Sequence, residues 1–429
     1  MKFSMLHPAD QIVTIMDRIY HYGMTTTSGG NLSIMDESGV MWISPSGVDK
    51  GRLRREDIMR VHADGRIEGI HKPSVEYPFH RSVYKARPEL KAVLHAHPPS
   101  LVAYSVARQI PDTAIITNSY FMCGEISMAG YACPGSDSLG QKIAAEFEKG
   151  IDVVMLENHG VVIGAENLFK AFMIFETLDF CARLQIKAGT IGTPHAISER
   201  HLEVYRQHNH PELGEYSHEN YTSEELGVRS DMCSLISRAY DNMLFTSSQG
   251  TFSCRLSDGS FVITPYMKDR KYLEPGDLVR IENGCKELGS LPSRSVLLHK
   301  HIYEKHPEIN SVIIAHPPNI MAFAVTEAEF DARLIPESYI MLRTVKKYPF
   351  GSSLMQPEQM SEELNEANPV CIVENDCVIV TGSSLLNAFD RLEVMEYSAK
   401  SVVYTNTIGN IVRISDVEVD EIEREFNLK

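Results

Sequence analysis

The stretch VLHAHPPSLVAYSV spans Val93 to Val106, and IIAHPPNIMAFAV spans Ile313 to Val325; the two superpose at an offset of 219 residues. The first carries histidine at 95 and 97. The second keeps His316 but has Ile314 where His95 would stand. Working outward, the match continues on both sides. TSGGNLSIMDESGVMWISPSG (Thr27–Gly47) pairs with SSQGTFSCRLSDGSFVITPYM (Ser247–Met267), and ENHGVVI (Glu157–Ile163) pairs with ENDCVIV (Glu374–Val380). Even the tails agree, Ile197-Ser198 with Ile414-Ser415. A fixed long period is the signature of a repeated structural unit. The chain of 429 residues is therefore a tandem duplication. The expected organisation is one domain over residues 1–210, a polar linker over 211–227 and a second domain over 228–429.

Each half reads as the same series of elements. An amphipathic helix with Ile12, Ile15, Met16 and Ile19 on one face stops at Gly23. Short strands are expected near 31–35, 40–44 and 57–61, separated by Gly-, Asp- and Ser-rich turns. A helix over about 77–87, a strand over 91–96, a helix over 137–149, an apolar hairpin turning at 158–160 and a long helix over 166–187 follow. Early hairpins with helices left to cover both faces predict a three-layer α/β/α domain, with a mostly antiparallel central sheet.

Composition excludes several classes. The formal charge of −16, from 41 basic and 57 acidic residues, opposes binding to a phosphate backbone, so no nucleic-acid partner is expected. No stretch reaches the roughly 20 apolar residues of a membrane span. Asp10 and Asp17 interrupt what would be a signal peptide's apolar core. Eight cysteines without C-x-x-C spacing suit reduced thiols. The expectation is a cytoplasmic protein.

The duplication acts as an internal control. Positions shared by both halves, such as His80/His299 and Tyr84/Tyr303, are expected to serve the fold. The informative positions changed chemistry: His95 became Ile314, His159 became Asp376, and Glu76 became Ser295. Gly29, Asn31, Ser46 and Gly47 became Gln249, Thr251, Tyr266 and Met267. Residues two apart on a strand share a face, so His95 and His97 can serve one metal, or be two ordinarily hydrogen-bonded histidines. His159, in a turn after a buried strand, is the candidate third ligand. Three neutral imidazoles with a position left open suit a catalytic zinc. Glu76 opens a helix, as a helix cap or as a base beside the metal. Its neighbours Tyr77, Pro78 and Phe79 are expected to dry it and raise its proton affinity. The small-residue loops TTSGGNLS and SPSGV, with Ser74 nearby, could present donors to an anion.

In the order SGGNLS, SPSG, KPSVE, HAHPP and ENHG, the first half resembles the class II aldolase/adducin family, and the second half resembles it in eroded form. The resemblance implies zinc on His95, His97 and His159. It also implies a phosphate site from Gly29, Asn31, Ser46, Gly47 and Ser74, and Glu76 as the catalytic glutamate. The family's epimerases carry aspartate at that position. Its fuculose-phosphate aldolases carry a second serine where this chain has Val75. The aldolases also use a tyrosine from a neighbouring subunit, for which Tyr120 and Tyr339 are candidates. The activity implied is retro-aldol cleavage of a ketose, as a sugar or sugar phosphate, to a ketone and an aldehyde. Alternatives on the same scaffold are a sugar-phosphate dehydratase, an epimerase, or an adducin-like interaction protein without catalysis. Family enzymes are fourfold tetramers, which implies for this tandem chain a homodimer forming a pseudo-tetramer.

Overall fold

The structure, a computed structural model, describes residues 3–428; residues 1–2 and 429, the outer ends of the two expected domains, lie outside it. The first unit comprises residues up to 113 together with 118–183. Its sheet has eight strands among the described residues: β1 (Asn31–Met35), β2 (Met41–Ile43), β3 (Met59–Val61), β4 (Ile67–Glu68), β5 (Ala92–Ala96), β6 (Ile126–Ala129), β7 (Val153–Leu156) and β8 (Val161–Ala165). Their spatial order is β4-β3-β2-β1-β5-β8-β7-β6, antiparallel throughout except for β6 beside β7.

Alternation along the central strand β5 builds the layers. Ala92, Leu94 and Ala96 face a core shared with Ile12, Ile15 and Ile19 of the helix Pro8–His21, and with Phe172, Phe175 and Leu178 of the helix Leu168–Ala188. Val93 points the other way, into a core with Phe79 and Val83 of the helix Tyr77–Ala86 and Ile143 and Phe147 of the helix Asp137–Phe147. A period-2 strand between two apolar helix layers is the α/β/α arrangement expected from the sequence.

The second unit comprises 114–117 and the chain from 184 onward. Among the described residues its nine strands run in the order Lys346–Tyr348, Val370–Val373, Cys377–Gly382, Ser311–Ala315, Thr251–Arg255, Phe261–Ile263, Val279–Glu282, Cys285–Glu287, Glu215–Tyr216. Only the outermost pair at each edge is parallel. By compactness the second unit takes up the chain from residue 184. The expected linker is also regular structure, because Glu215–Tyr216 joins the sheet and the helix Ser223–Asp241 starts inside it. Its polar residues find partners within the protein: Thr222 caps the helix, and buried Glu225 is bonded by Arg229 and Arg280. No helix among the described residues is long and apolar enough to cross a membrane.

Each unit holds the same buried polar trio. Ser33 Oγ lies 2.7 Å from His80 Nδ1 and 2.8 Å from Tyr84 Oη; Ser253 Oγ lies 2.6 Å from both His299 Nδ1 and Tyr303 Oη. Burial pushes the imidazoles of His80 and His299 down to about 3, and that of His316 down to about 4. These rings fold neutral, whereas the unfolded chain protonates them near 6.5. The unfolded state thus gains protons as pH falls, and stability, complete above 6.5, should fall between pH 6.5 and about 4 by up to roughly 1.4 kcal/mol per pH unit for each ring. Urea midpoints at pH 7 and pH 5 check this; equal midpoints would refute it.

Candidate active site

His95 sits in β5 between Asn31 of β1 and Val162 of β8. Its Nδ1 donates to the carbonyl of Val161 at 2.9 Å, since that carbonyl can only accept, which leaves Nε2 as the nitrogen that faces the site. His97 lies one residue beyond the strand, its Nε2 2.8 Å from His95 Nε2. His159 comes from the turn joining β7 and β8. That turn can approach only because residue 160 is glycine: a Cβ there would lie 2.5 Å from Ala96 O and 2.6 Å from His97 Cδ2.

The three side chains bring ligand nitrogens within 4.8 Å of one another. Burial, followed by His95, depresses the imidazoles of His97 to about 3 and His159 to about 4, so both are neutral near pH 7. Neutral rings with facing lone pairs repel unless a cation or a proton lies between them. A tetrahedral zinc with bonds of about 2.0–2.1 Å keeps its nitrogens about 3.3 Å apart, so this donor set fits such an ion.

Glu76 is the N-cap residue of the helix Tyr77–Ala86, but its side chain makes no capping bond. It turns instead toward the histidines, with Oε2 3.3 Å from His95 Nε2 and Oε1 3.7 Å from His159 Nε2. Asn31 Nδ2 donates to Oε2 at 2.8 Å, while Oε1 is buried without a hydrogen-bond partner. Burial works to raise the carboxyl's pKa, but facing His95, the Asn31 amide and His159 outweigh it and hold the pKa well below the usual carboxylate range. The expected rise in proton affinity is thus reversed: local dryness is real, but the facing imidazoles and the hydrogen bond donated by Asn31 win.

The expected anion loops lie side by side. Ser46 N donates to Lys72 O at 2.9 Å, Ser74 N to Ser44 O at 3.2 Å, and Lys50 N to Thr27 O at 2.9 Å. Gly29 abuts the metal cluster, since a Cβ there would be 3.1 Å from His97 Nδ1. Gly47, exposed and at φ +68°, and half-buried Ser46 sit on the outer rim. Two members have other partners than an anion. Asn31 donates to Glu76 and accepts from His80 Nε2, and Ser74 Oγ accepts from Glu76 N at 3.3 Å.

The tyrosines are not brought to the cluster. Tyr120 lies in the helix Thr117–Cys123 with its ring edge-on to Phe121, and Tyr339 donates to Glu423 at 2.7 Å. Among the described residues neither hydroxyl bonds to Glu76 or to the three histidines.

In the second unit the corresponding positions carry different chemistry. Ile314 joins an apolar core, Asp376 accepts from Ser353 and weakly from Cys377, and burial raises its pKa. Thr251 bonds Ser293, leaving His299 Nε2 without a partner. That contrast exposes a residue that sequence reasoning assigned to the fold alone. His80 keeps the trio shared with His299, but it also fixes the Asn31 amide that orients Glu76. Nothing in the sequence of one half distinguishes the two roles.

Arg108 was missed as well, although the duplication held a signal, since its counterpart is Glu327. Its Nη2 bonds Asn158 Oδ1 and its Nε lies 3.3 Å from Glu157 Oε1, clasping both residues before His159. Outer partners that orient a ligand commonly alter metal affinity by 10–100-fold. Arg108→Ala should weaken metal retention on about that scale in chelator competition, with Arg108→Lys recovering part of it. Retention equal to wild type in the alanine variant would refute the role.

A second acidic group, His218, Glu225 and Glu287, also converges, but Arg229 bonds both carboxylates. A guanidinium already neutralises the place a cation would take.

A three-layer α/β/α domain with three converging imidazoles and an uncapped glutamate defines the class: a fold and donor set suited to metal-assisted chemistry on a small molecule. Residues 10–186 and 230–403 both match the family described as Class II Aldolase and Adducin N-terminal domain, and the chain belongs to that family. It is 33% identical over 199 residues to a 5-deoxy-D-ribulose 1-phosphate aldolase of Bacillus thuringiensis serovar kurstaki, covering 45% of this chain and 91% of that protein. A 3-oxo-tetronate 4-phosphate decarboxylase of Haemophilus influenzae is 33% identical, covering 38% of this chain and 80% of its own. Among solved structures, an L-fuculose 1-phosphate aldolase aligns with a TM-score of 0.42 and 29% identity, over 46% of this chain and 93% of that one.

Proposed function

We propose that the first half is a zinc-dependent aldehyde-lyase that breaks the C–C bond of a small ketose phosphate by a retro-aldol reaction. The observation that carries this reading is Glu76: a buried carboxylate with one oxygen bonded by Asn31 and the other unpartnered, turned toward three imidazoles. His95, His97 and His159 would hold the ion. Zinc bound there would polarise the substrate's carbonyl and hydroxyl oxygens. Glu76 carries the proton at the carbon left electron-rich when the C–C bond breaks, and Asn31, itself held by His80, keeps the carboxylate in place. Overall, the proton of the cleaved hydroxyl ends on the carbon of the ketone fragment, and the hydroxyl oxygen becomes the aldehyde. Gly29, Ser46, Gly47 and Ser74 form the rim that would receive the phosphate. Of the two tyrosines, Tyr339 already donates to Glu423, so Tyr120 of a neighbouring copy of the chain is assigned the proton that leaves the hydroxyl as it becomes the aldehyde.

The likeness to a decarboxylase supports a second reading with the same machinery. There the bond broken beside the carbonyl releases carbon dioxide instead of an aldehyde. A screen of ketose phosphates and 3-oxo-acid phosphates, following both products with and without a chelator, separates the two. Aldehyde release abolished by the chelator is expected. Carbon dioxide alone would select the second reading, and activity indifferent to the chelator would reject the metal.

A further inference from the structure

Between the two repeats, the stretch around Glu215–Tyr216 straps itself to the second unit. Lys286 N donates to Gly214 O at 2.8 Å and Leu288 N to Tyr216 O at 2.9 Å, which adds one strand to the sheet. Farther along, His218 Nε2 donates to the two oxygens of Glu225 at 3.1 and 3.0 Å, fixing the strap to the helix Ser223–Asp241. Between this strap and the segments 265–268 and 287–291 lies a cavity of about 590 Å³. Four large apolar or aromatic side chains line it and are still open to solvent: Tyr221 at 45%, Tyr266 at 37%, Leu288 at 67% and Leu291 at 47% exposure. Scattered exposed side chains need no explanation, but four around one cavity of ligand size do.

Both aromatic walls are held from outside the cavity. The His210 ring stands edge-on to Tyr266 at 4.2 Å, the His218 ring edge-on to Tyr221 at 4.6 Å, and the Arg229 guanidinium lies 5.0 Å from the centre of Tyr221. The charged groups of the lining are already paired, Lys268 with Asp277 and Glu287 with Arg229. An ionic ligand would therefore have to break a pair to find its own counter-charge. What remains for hydrogen bonding is mixed. The Lys268 ammonium has three N–H groups and bonds Asp277 alone among the described residues; Ser290 Oγ donates to Glu287 O at 2.6 Å and keeps its lone pairs. His218 Nδ1 makes no hydrogen bond among the described residues. Donors and acceptors set around aromatic faces suit a ring whose hydroxyls each donate and accept, and whose C–H bonds can rest on the negative face of a tyrosine. The first half lacks this lining: Ser46, Val48, Gly69 and Lys72 stand where the second has Tyr266, Lys268, Leu288 and Leu291.

We propose that this cavity is a second small-molecule site, one that takes a neutral, unphosphorylated sugar in its ring form. Tyr221 and Tyr266 receive the C–H faces of the ring, and Lys268, Ser290 and His218 bond its hydroxyls. A phosphate is disfavoured, because Asp277 and Glu287 line the cavity and the Lys268 charge is already met by Asp277. The proposal concerns the second unit alone, and it stands whichever reaction the first half performs.

Methyl glycosides of the common pentoses and hexoses serve as probes, since they keep the ring but lack the free carbonyl that a lyase site requires. Titrated into the full chain and followed by saturation-transfer NMR, at least one should bind, equally with and without a chelator. Hydrogen exchange should slow in peptides covering 217–221 and 287–291 when that glycoside is present. Tyr221→Ala and Tyr266→Ser should each weaken binding by about 3–10-fold, whereas Tyr221→Phe and Tyr266→Phe keep the ring and the affinity. Serine at 266 suits the fold, because the loop makes the same bridge in both halves, Pro45 to Pro73 beside Ser46 and Pro265 to Pro292 beside Tyr266. No binding by any glycoside overturns the proposal, as does affinity unchanged in both Tyr221→Ala and Tyr266→Ser. Tighter binding of glucose 6-phosphate, tetramethylammonium or adenosine than of every glycoside overturns it too, since the cavity would then select another class of ligand. Glycoside binding lost on adding the chelator would place the sugar at the histidines, and is equally fatal. None of these readouts measures turnover, so they stand apart from the success or failure of the lyase reading.

Discussion

Glu76→Gln is expected to lower kcat by roughly 10²–10⁴ while metal content stays at the wild-type level. The substitution keeps the size of the side chain and an oxygen that can still accept from Asn31, so the local packing survives. What it removes is the charge and the unpartnered basic oxygen facing the histidines. The second half argues that no structural need is served by this carboxylate. Ser295 occupies the same N-cap position, likewise without a capping bond, and the helix Val296–Lys305 forms regardless. Elemental analysis and turnover on the same preparation provide the check. Turnover near wild type would remove Glu76 from the mechanism, and loss of metal would make it a ligand instead.

The second large effect is in metal count. One zinc per chain is expected, absent after His95→Ala or His159→Ala and still present after His316→Ala. In the second unit the three corresponding positions offer one imidazole, one apolar side chain and one carboxylic acid. His316 is half-buried with its Nδ1 buried and unpartnered, Ile314 belongs to the core, and Asp376 is bonded by Ser353 in surroundings that favour its protonated form. A catalytic zinc takes three protein ligands as a rule, and this set falls short. Two equivalents per chain, or metal lost on changing His316, would mean that the second half is a working site.

Much of this was present in the chain before any fold was considered. Periodicity placed the strands and helices, and comparison of the two halves singled out His95, His159 and Glu76 as dispensable to the fold. Such features are legible because they are local or repeated: a strand's period of two puts His95 and His97 together whatever else happens. The direction of the Glu76 shift was not legible. It depends on Asn31 and His95, distant in sequence, and neighbours along the chain pointed the other way. The pairing within residues 211–227 was not legible for a related reason, since composition shows that residues are polar but not whether they are paired, and Glu225 is bonded to Arg229 and Arg280.

The sequence by itself determined the duplication, the layered fold and the type of donor set, because backbone period and side-chain chemistry are carried residue by residue. Only the tertiary structure decided that His80 reaches through Asn31 to Glu76, that Arg108 clasps the turn before His159, and that residues 184–210 join the second unit. Those are contacts between segments far apart in the chain, and a local pattern records what a residue can bond, not which partner folding will bring to it.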